Sequence, residues 1–463
     1  MSNSSGKFLE GNLMRHVSVM SFTSAIGLMA IFAVDFVDMI FIGMLGSDAL
    51  AAAVGYAGTV IFFTNAMNIG MSIAAGSLVS QSIGADKPGL AREYATSVAV
   101  LVVAVGIAIP LIAIPFLPQI MALLGATGEV QQLAVRYTTI ILPTMSLMGL
   151  AMAASAVLRA HGDAKRAMYT TLSGGIVNAV LDPIFIFGFG LGLDGAAYAS
   201  VVARFVMAAV SMREAIKVYQ AYCKPTAALV TRDAGIVLGI AVPAVATNIA
   251  TPFGNAIVTR EMAQFGTDAV AGMAIIGRIM PMAFAVILAL SGAIGPIVGQ
   301  NYGAGKYDRV RGAYTAGMQF IVLYVLFATA VLFVLRDSIA GLFNAEGLTR
   351  DLIFLYCGPL ALASIFNGIV FMSNAVFNNL GHPIYSAWIN WGRHSIGTYP
   401  FAVAGGIWLG AQGVLIGQAA GGLIFAVVAI WLVKRVIANL DADREPDPFH
   451  PDKRFLTILG RRH

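Results

Sequence analysis

Charge is what this chain has least of. Only 11% of its 463 residues are Asp, Glu, Lys or Arg, whereas a soluble domain carries about 25%. With 58% hydrophobic residues, that scarcity excludes a soluble enzyme and implies a polytopic membrane protein. Cysteine is nearly absent. Cys223 and Cys357 lie far apart and match no disulfide or metal-ligand spacing. No polar stretch between apolar runs is long enough for a soluble domain, which leaves no room for a catalytic loop. The basic residues form short clusters without interleaved stacking aromatics, so nucleic acid is not an expected partner. No cleavable signal peptide is expected, because residues 1–16 are polar and the following apolar run is long enough to span.

What the chain does have is apolar runs of at least about 20 residues, the length that crosses a bilayer. Twelve are read: 17–45, 49–82, 91–118, 130–158, 167–190, 194–218, 234–265, 268–300, 311–335, 350–379, 384–409 and 411–436. Lys and Arg concentrate in alternate loops: Lys7 and Arg15; Lys87 and Arg92; Arg159, Lys165 and Arg166; Arg213, Lys217, Lys224 and Arg232; Lys306, Arg309 and Arg311; Lys434 and Arg435. Cytoplasmic loops carry the basic excess, so both termini are expected in the cytoplasm of a multi-pass plasma (inner) membrane protein. Residues 336–350 run against this pattern, since Arg336 and Arg350 fall on the outer side.

The chain also repeats itself. Residues 46–51 read GSDALA and residues 266–271 read GTDAVA; VSQSIGADKPGLAR at 79–92 is answered by VGQNYGAGKYDRVR at 298–311. Gln81 answers Gln300, Lys87 answers Lys306, Gly162 answers Gly381 and Pro183 answers Pro400, a spacing near 220 throughout. An even number of spans per half makes the repeats parallel, related by an axis along the membrane normal. The expected fold is an all-α integral membrane protein of twelve transmembrane helices, in two pseudo-symmetric six-helix bundles around a central cleft. The bundles are 1–219 and 233–436, with a cytoplasmic linker at 220–232 and a solvated tail at 437–463.

One stretch concentrates polarity inside oil. Gly174 to Gly190 reads GGIVNAVLDPIFIFGFG, with Asn178 four residues before Asp182 and so on the same helical face. A carboxylate near the middle of a membrane helix costs about 2.5–3.5 kcal/mol on insertion scales. Pro183 has no N–H and disturbs the preceding turn, which leaves carbonyls without partners. An acid, an amide and freed carbonyls converging inside a membrane point to an ion or proton site.

GSDALAAAVG after the first span, PIVGQNYGAGKYDRVR after the eighth, and NAVLDPIFIFGFGLGLDGAA across the fifth and sixth resemble the multidrug and toxic compound extrusion (MATE) family, over about residues 15–436. The NxxxDP motif resembles the DinF-like branch. The resemblance implies a cation-coupled antiporter that exports organic compounds against an inward flow of H⁺ or Na⁺, needing no other cofactor. Its partners would be a small-molecule substrate and the lipid bilayer, in a monomer. Within VDFVDMIFIG of the first span, Asp38 matches the family's acidic residue, and Asp35 stands where asparagine is common. Asn178 and Asp182 match the motif directly, which makes Asp38, Asp182, Asn178 and Asp35 the expected coupling residues.

Burial and mutual repulsion both disfavour charge on these acids, so at least one is expected to titrate near physiological pH as part of a coupled group. A Na⁺ site at Asp38, Asn178 and Asp182 would need further oxygens. Ser200 stands where the family often has a hydroxyl residue, and Arg204, four further on, where a smaller polar residue is usual. An arginine facing the chamber would pair with an aspartate and compete with a metal, so protons are the expected ion. In the second half, Asn255 answers Asp35, Val258 answers Asp38 and Tyr399 answers Asp182. Coupling is therefore expected in the first half. Asn255 and Asn367, with Trp391, would add a neutral polar wall for substrate; Ser200 and Arg204 complete the expected substrate contacts, and Arg393 and His394 are further candidates.

The GADK and GAGK segments lack the GxxxxGK[ST] spacing of a phosphate loop; glycine as a helix terminator accounts for both. The alternative activity is a lipid or oligosaccharide flippase of the same broad superfamily, which would use Arg204, Arg278 and Arg393 to hold phosphates. A membrane-embedded transferase would need an acidic metal motif at the membrane surface, and DFVD lies too deep for that.

Overall fold

The structure is a computed structural model that describes residues 6–440. Among the described residues all regular secondary structure is helical, with no strand. Eleven segments are long and apolar enough to cross a bilayer, and the last of them, Pro383–Leu440, has 58 residues. A straight helix of that length would reach about 87 Å at 1.5 Å per residue, nearly three times the hydrocarbon thickness of about 30 Å. It reverses at Gly410, whose φ of 62° and ψ of −148° break the helix. The two arms pack through glycine: a Cβ on Gly405 would stand 2.0 Å from the Gly413 carbonyl oxygen, and one on Gly413 1.9 Å from that of Gly405. The eighth crossing is Ala285–Gly303, continued from Thr267–Ala283 through a bend at Phe284. Twelve crossings result, six in each bundle.

Several boundaries differ from those read in the sequence. The first helix starts at Leu13. The seventh starts at Ala227, which shortens the linker from 220–232 to 220–226, after a turn at Gln220 with φ of 47°. The twelfth runs on to Leu440, so only 441–463 remain of the proposed tail, outside the described residues. The fourth crossing is not one helix. Gly128–Ile141 and Met145–Ala160 are joined by a tight 3₁₀ turn at Leu142–Thr144 that contains Pro143. The tenth is interrupted at the answering level by Pro359–Ala363. In both places proline has no N–H to continue the ladder. The basic residues at 336–350 have local partners: Arg350 reaches Asp337 at 3.2 Å, and the Arg336 guanidinium lies 4.1 Å from the centre of the Phe333 ring.

The bundles meet on the face that carries the amino terminus. There the second and eighth spans cross in near-perfect pseudo-symmetry. A Cβ on Gly84 would stand 2.0 Å from the Gln300 carbonyl oxygen, and one on Gly303 2.0 Å from that of Gln81. These are answering positions in the repeat. The two glycines are the last residues of their helices, and the chain turns two residues on at Asp86 (φ 54°) and Gly305 (φ 68°). Both segments end their helices as expected, and close approach is a second reason for glycine at each. Around the crossing, Ser77 Oγ donates to the Asn378 carbonyl (2.9 Å), Gln81 Nε2 to that of Asn379 (3.1 Å) and Gln300 Nε2 to that of Ala160 (2.7 Å).

Residues 6–12 strap over the same face. Phe8 is 1% exposed; its N–H donates to Gln300 Oε1, and its carbonyl accepts from Asn301 Nδ2 and Arg309 Nη2. Lys7 Nζ donates to the Gly162 carbonyl of the first bundle at 2.8 Å. On the opposite face the bundles approach through Arg278, whose Nη2 lies 3.7 Å from Met39 Sδ. At the amino-terminal face, then, the two bundles are in direct backbone contact.

Candidate ion-coupling site

The first helix runs unbroken from Leu13 to Met44 and packs along the fifth, Ala164–Pro183. Both carry acids toward their far ends, away from the amino-terminal face. Asp38 and Asp182 lie about 9 Å from the ends of their spans, Met44 and Gly188, at 1.5 Å per residue. The disturbance expected at Pro183 takes the form of a widened turn: a π-helical segment, Ile184–Gly188, follows directly. Such single-turn π bulges recur at functional sites. Here it lets the span continue beyond the proline while the Asn178–Asp182 face stays turned into the bundle.

Asn178 joins the two acids. Its Nδ2 donates to Asp182 Oδ2 at 2.5 Å and faces Asp38 Oδ1 and Oδ2 at 3.5 Å each. Asp182 also lies within hydrogen-bonding reach of Asp38. Exposure falls along this line. Asp38 is half-buried, Asn178 is 8% exposed and Asp182 fully buried. Asp182 Oδ1 has no partner among the described residues. Asp35 is on the same helix, but its side chain lies outside the described residues.

Arg204 does not join this cluster. Its Nη1 donates to Thr144 Oγ1 at 3.0 Å and to the Ile141 carbonyl at 3.4 Å, so the guanidinium braces the break in the fourth span. That contact corrects the expectation of an Arg204–aspartate pair. No sequence signal pointed to it, because the break itself was not foreseen. Ser200 sits half-buried one turn earlier on the sixth span.

In the second bundle, Asn255 is exposed and Asn367 half-buried just beyond the break in the tenth span. Trp391 Nε1 donates to the Ala246 carbonyl at 3.0 Å, and its ring lies 5.6 Å from that of Phe253. Val258 is fully buried. His394 packs on Gly254 with Nδ1 unpartnered, and Arg393 Nη1 is likewise bare among the described residues. A buried amide seam was partly missed. Asn390 Nδ2 donates to Asn374 Oδ1 at 3.0 Å, and Ser386 Oγ to the Asn374 carbonyl at 3.3 Å. The four-residue spacing of Ser386 and Asn390 on one helical face was the available signal.

Two repeated six-helix bundles that meet at one face, with a half-buried and a buried acid joined by one amide in the first, define a membrane transporter. The family model described as MatE matches residues 24–184 and 243–403, one copy in each bundle. The chain belongs to that family. It is similar to the FAD transporter of Shewanella oneidensis, 26% identical over 91% of this chain and 95% of that protein. It is also similar to the multidrug export protein MepA of Staphylococcus aureus, 25% identical over 74% of this chain and 76% of that protein. A solved structure described as the outward-facing conformation of a multidrug resistance MATE family transporter of the MOP superfamily shares the fold, with a TM-score of 0.88 at 22% identity, covering 96% of this chain and 100% of that one.

Proposed function

We propose that this chain is an antiporter that exports amphipathic, often cationic, organic compounds in exchange for protons. The basic amino-terminal face would be cytoplasmic, in an inner membrane. With the bundles in contact at that face, the arrangement would be a state sealed on the cytoplasmic side of an alternating-access cycle, in which the two bundles rock about the cleft.

The observation that carries this reading is the graded line from half-exposed Asp38 through Asn178 to fully buried Asp182. Two carboxyls within hydrogen-bonding reach repel as anions and attract when one proton lies between them. A proton entering from the cleft is taken by the pair; release to the other side resets it. A cationic substrate competes electrostatically for the same wall, and that competition is the exchange. Asn178 turns its Nδ2 toward both acids, a donor that steadies the pair as it shares one proton. The engagement of Arg204 with Ile141 and Thr144 removes a cation that a phosphate-holding flippase would use.

The test is substrate efflux in proteoliposomes under separately imposed H⁺ and Na⁺ gradients. Proton-driven efflux that disappears in Asp182→Asn and Asp38→Asn is expected. Robust Na⁺-driven efflux without a pH gradient, or normal efflux by both folded variants, would overturn the assignment.

A further inference from the structure

We propose that a groove beside the first span, outside the central cleft, binds an anionic phospholipid. The groove lies at the amino-terminal face, between the strap, the start of the first span and the start of the fifth. It encloses about 340 Å³ and is lined by Lys7, His16, Val19, Ile26, Lys165 and Met168 among others. Its two ends differ in chemistry, and the difference is that of a lipid.

The rim is cationic. Lys7 and Lys165 are both exposed. The Lys7 ammonium spends one of its three N–H groups on the Gly162 carbonyl, which leaves two for another acceptor. Lys165 Nζ lies 5.8 Å from the centre of the Tyr169 ring, one helical turn along. His16 bonds the Glu10 carbonyl through Nε2 at 2.8 Å. The one acid lining the groove, Asp163, is already taken: it pairs with Arg166 and accepts from Tyr219 Oη at 2.8 Å. The rim therefore carries net positive charge.

The wall below is apolar. Val19 and Ile26 are 56% and 51% exposed, and with Thr23 between them they form one stripe of the first helix. Seven residues of stripe extend about 10 Å into the bilayer. Met20 floors the groove and Met168 closes its far side. Basic pockets between membrane helices select acidic headgroups over zwitterionic ones; here the stripe adds contact for the first carbons of an acyl chain. A phosphate bridging Lys7 and Lys165 would tie the strap to the fifth span, across the face that seals the cleft.

Native mass spectrometry of the full chain, released from detergent with equal amounts of phosphatidylglycerol and phosphatidylcholine of matched acyl chains, tests this. One phosphatidylglycerol per chain should be retained in preference. The preference should fall by about tenfold or more in Lys7→Gln/Lys165→Gln, and stay unchanged in Arg350→Gln on the opposite face. Thermal unfolding supplies the second readout: phosphatidylglycerol vesicles should raise the midpoint of the parent chain, while glycerol phosphate and inorganic phosphate should not. Equal retention of the two lipids by the parent would overturn the proposal even if the double variant failed to fold. So would an undiminished preference in the double variant. A midpoint shift from phosphate alone would replace a lipid site with a free-anion site and equally overturn it.

Discussion

Replacing Gly84 with alanine adds a single methyl group at the point where the second and eighth spans cross. That methyl would stand 2.0 Å from the Gln300 carbonyl oxygen and 2.7 Å from the Gln300 Cα. The obstacle is backbone, so no side-chain rotation relieves it. Restoring an ordinary contact of about 3.5 Å requires the bundles to part there by about 1.5 Å. The bonds of Ser77 to Asn378 and of Gln81 to Asn379, now 2.9 and 3.1 Å, would stretch beyond hydrogen-bonding range. Overpacking alone opposes the sealed arrangement by about 1–3 kcal/mol, equivalent to about a 5- to 150-fold shift in population, and the lost bonds add to it. Gly303→Ala should act alike, because its methyl would meet the Gln81 carbonyl at the same 2.0 Å. Gly58→Ala is the control, with nothing within 4 Å.

The reporter is a cysteine at Ser80, a fully buried position beside the crossing, in a chain carrying Cys223→Ser and Cys357→Ser. A membrane-impermeant maleimide is offered at the amino-terminal face. Labelling should rise at least about fivefold in Gly84→Ala and Gly303→Ala and stay low in Gly58→Ala. Unchanged labelling in folded Gly84→Ala would refute the idea that this crossing holds the face shut.

Three further outcomes are expected. Asn178→Ala removes a donor to two carboxyls; at about 1.5–3 kcal/mol for such bonds, proton-driven efflux should fall about 10- to 150-fold, and efflux within twofold of the parent would contradict the bridging role. Arg204→Gln should lower the thermal midpoint by loosening the fourth-span break while leaving the pH optimum of transport in place; a displaced optimum would put Arg204 back beside the acids. Asp163 lies in the loop before the fifth span. Burial pushes its carboxyl up, but the Arg166 amide and guanidinium and the Tyr219 hydroxyl outweigh that and hold it below the usual carboxylate range. A depressed carboxyl contributes stability above its unfolded value of about 4 and loses it as pH falls through the lower folded value. Asp163→Asn should therefore lower the midpoint at pH 7 and matter progressively less toward pH 3, as thermal melts across that range would record.

The reach of the sequence is plain from particular residues. Asn178 and Asp182 are four apart on one helix, so their shared face followed from helical geometry alone; the 2.5 Å bond between them is that face made visible. The linker, by contrast, was read too long. Residues 227–233 include Thr231, Arg232 and Asp233, which look like loop by composition but form the first turns of a helix. Arg232 reaches Glu93 at 2.7 Å and Asp233 accepts from Ser97 Oγ at 2.6 Å, so packing against the third span satisfies polarity that composition assigned to water. The same happened at Arg204, whose partner is a helix break with no periodic signature.

Composition, the near-220-residue repeat and the alternation of basic loops were enough to determine a duplicated, twelve-span membrane protein with acids buried in its first half. Those are properties of local hydropathy and of self-similarity, and both are written along the chain. The meeting of Asp38 with Asn178 across 140 residues, the Gly84 and Gly303 crossing, and the choice of which face is shut were decided only in three dimensions. Each depends on how closely two helices approach, and that distance is set by what both surfaces lack as much as by what either carries.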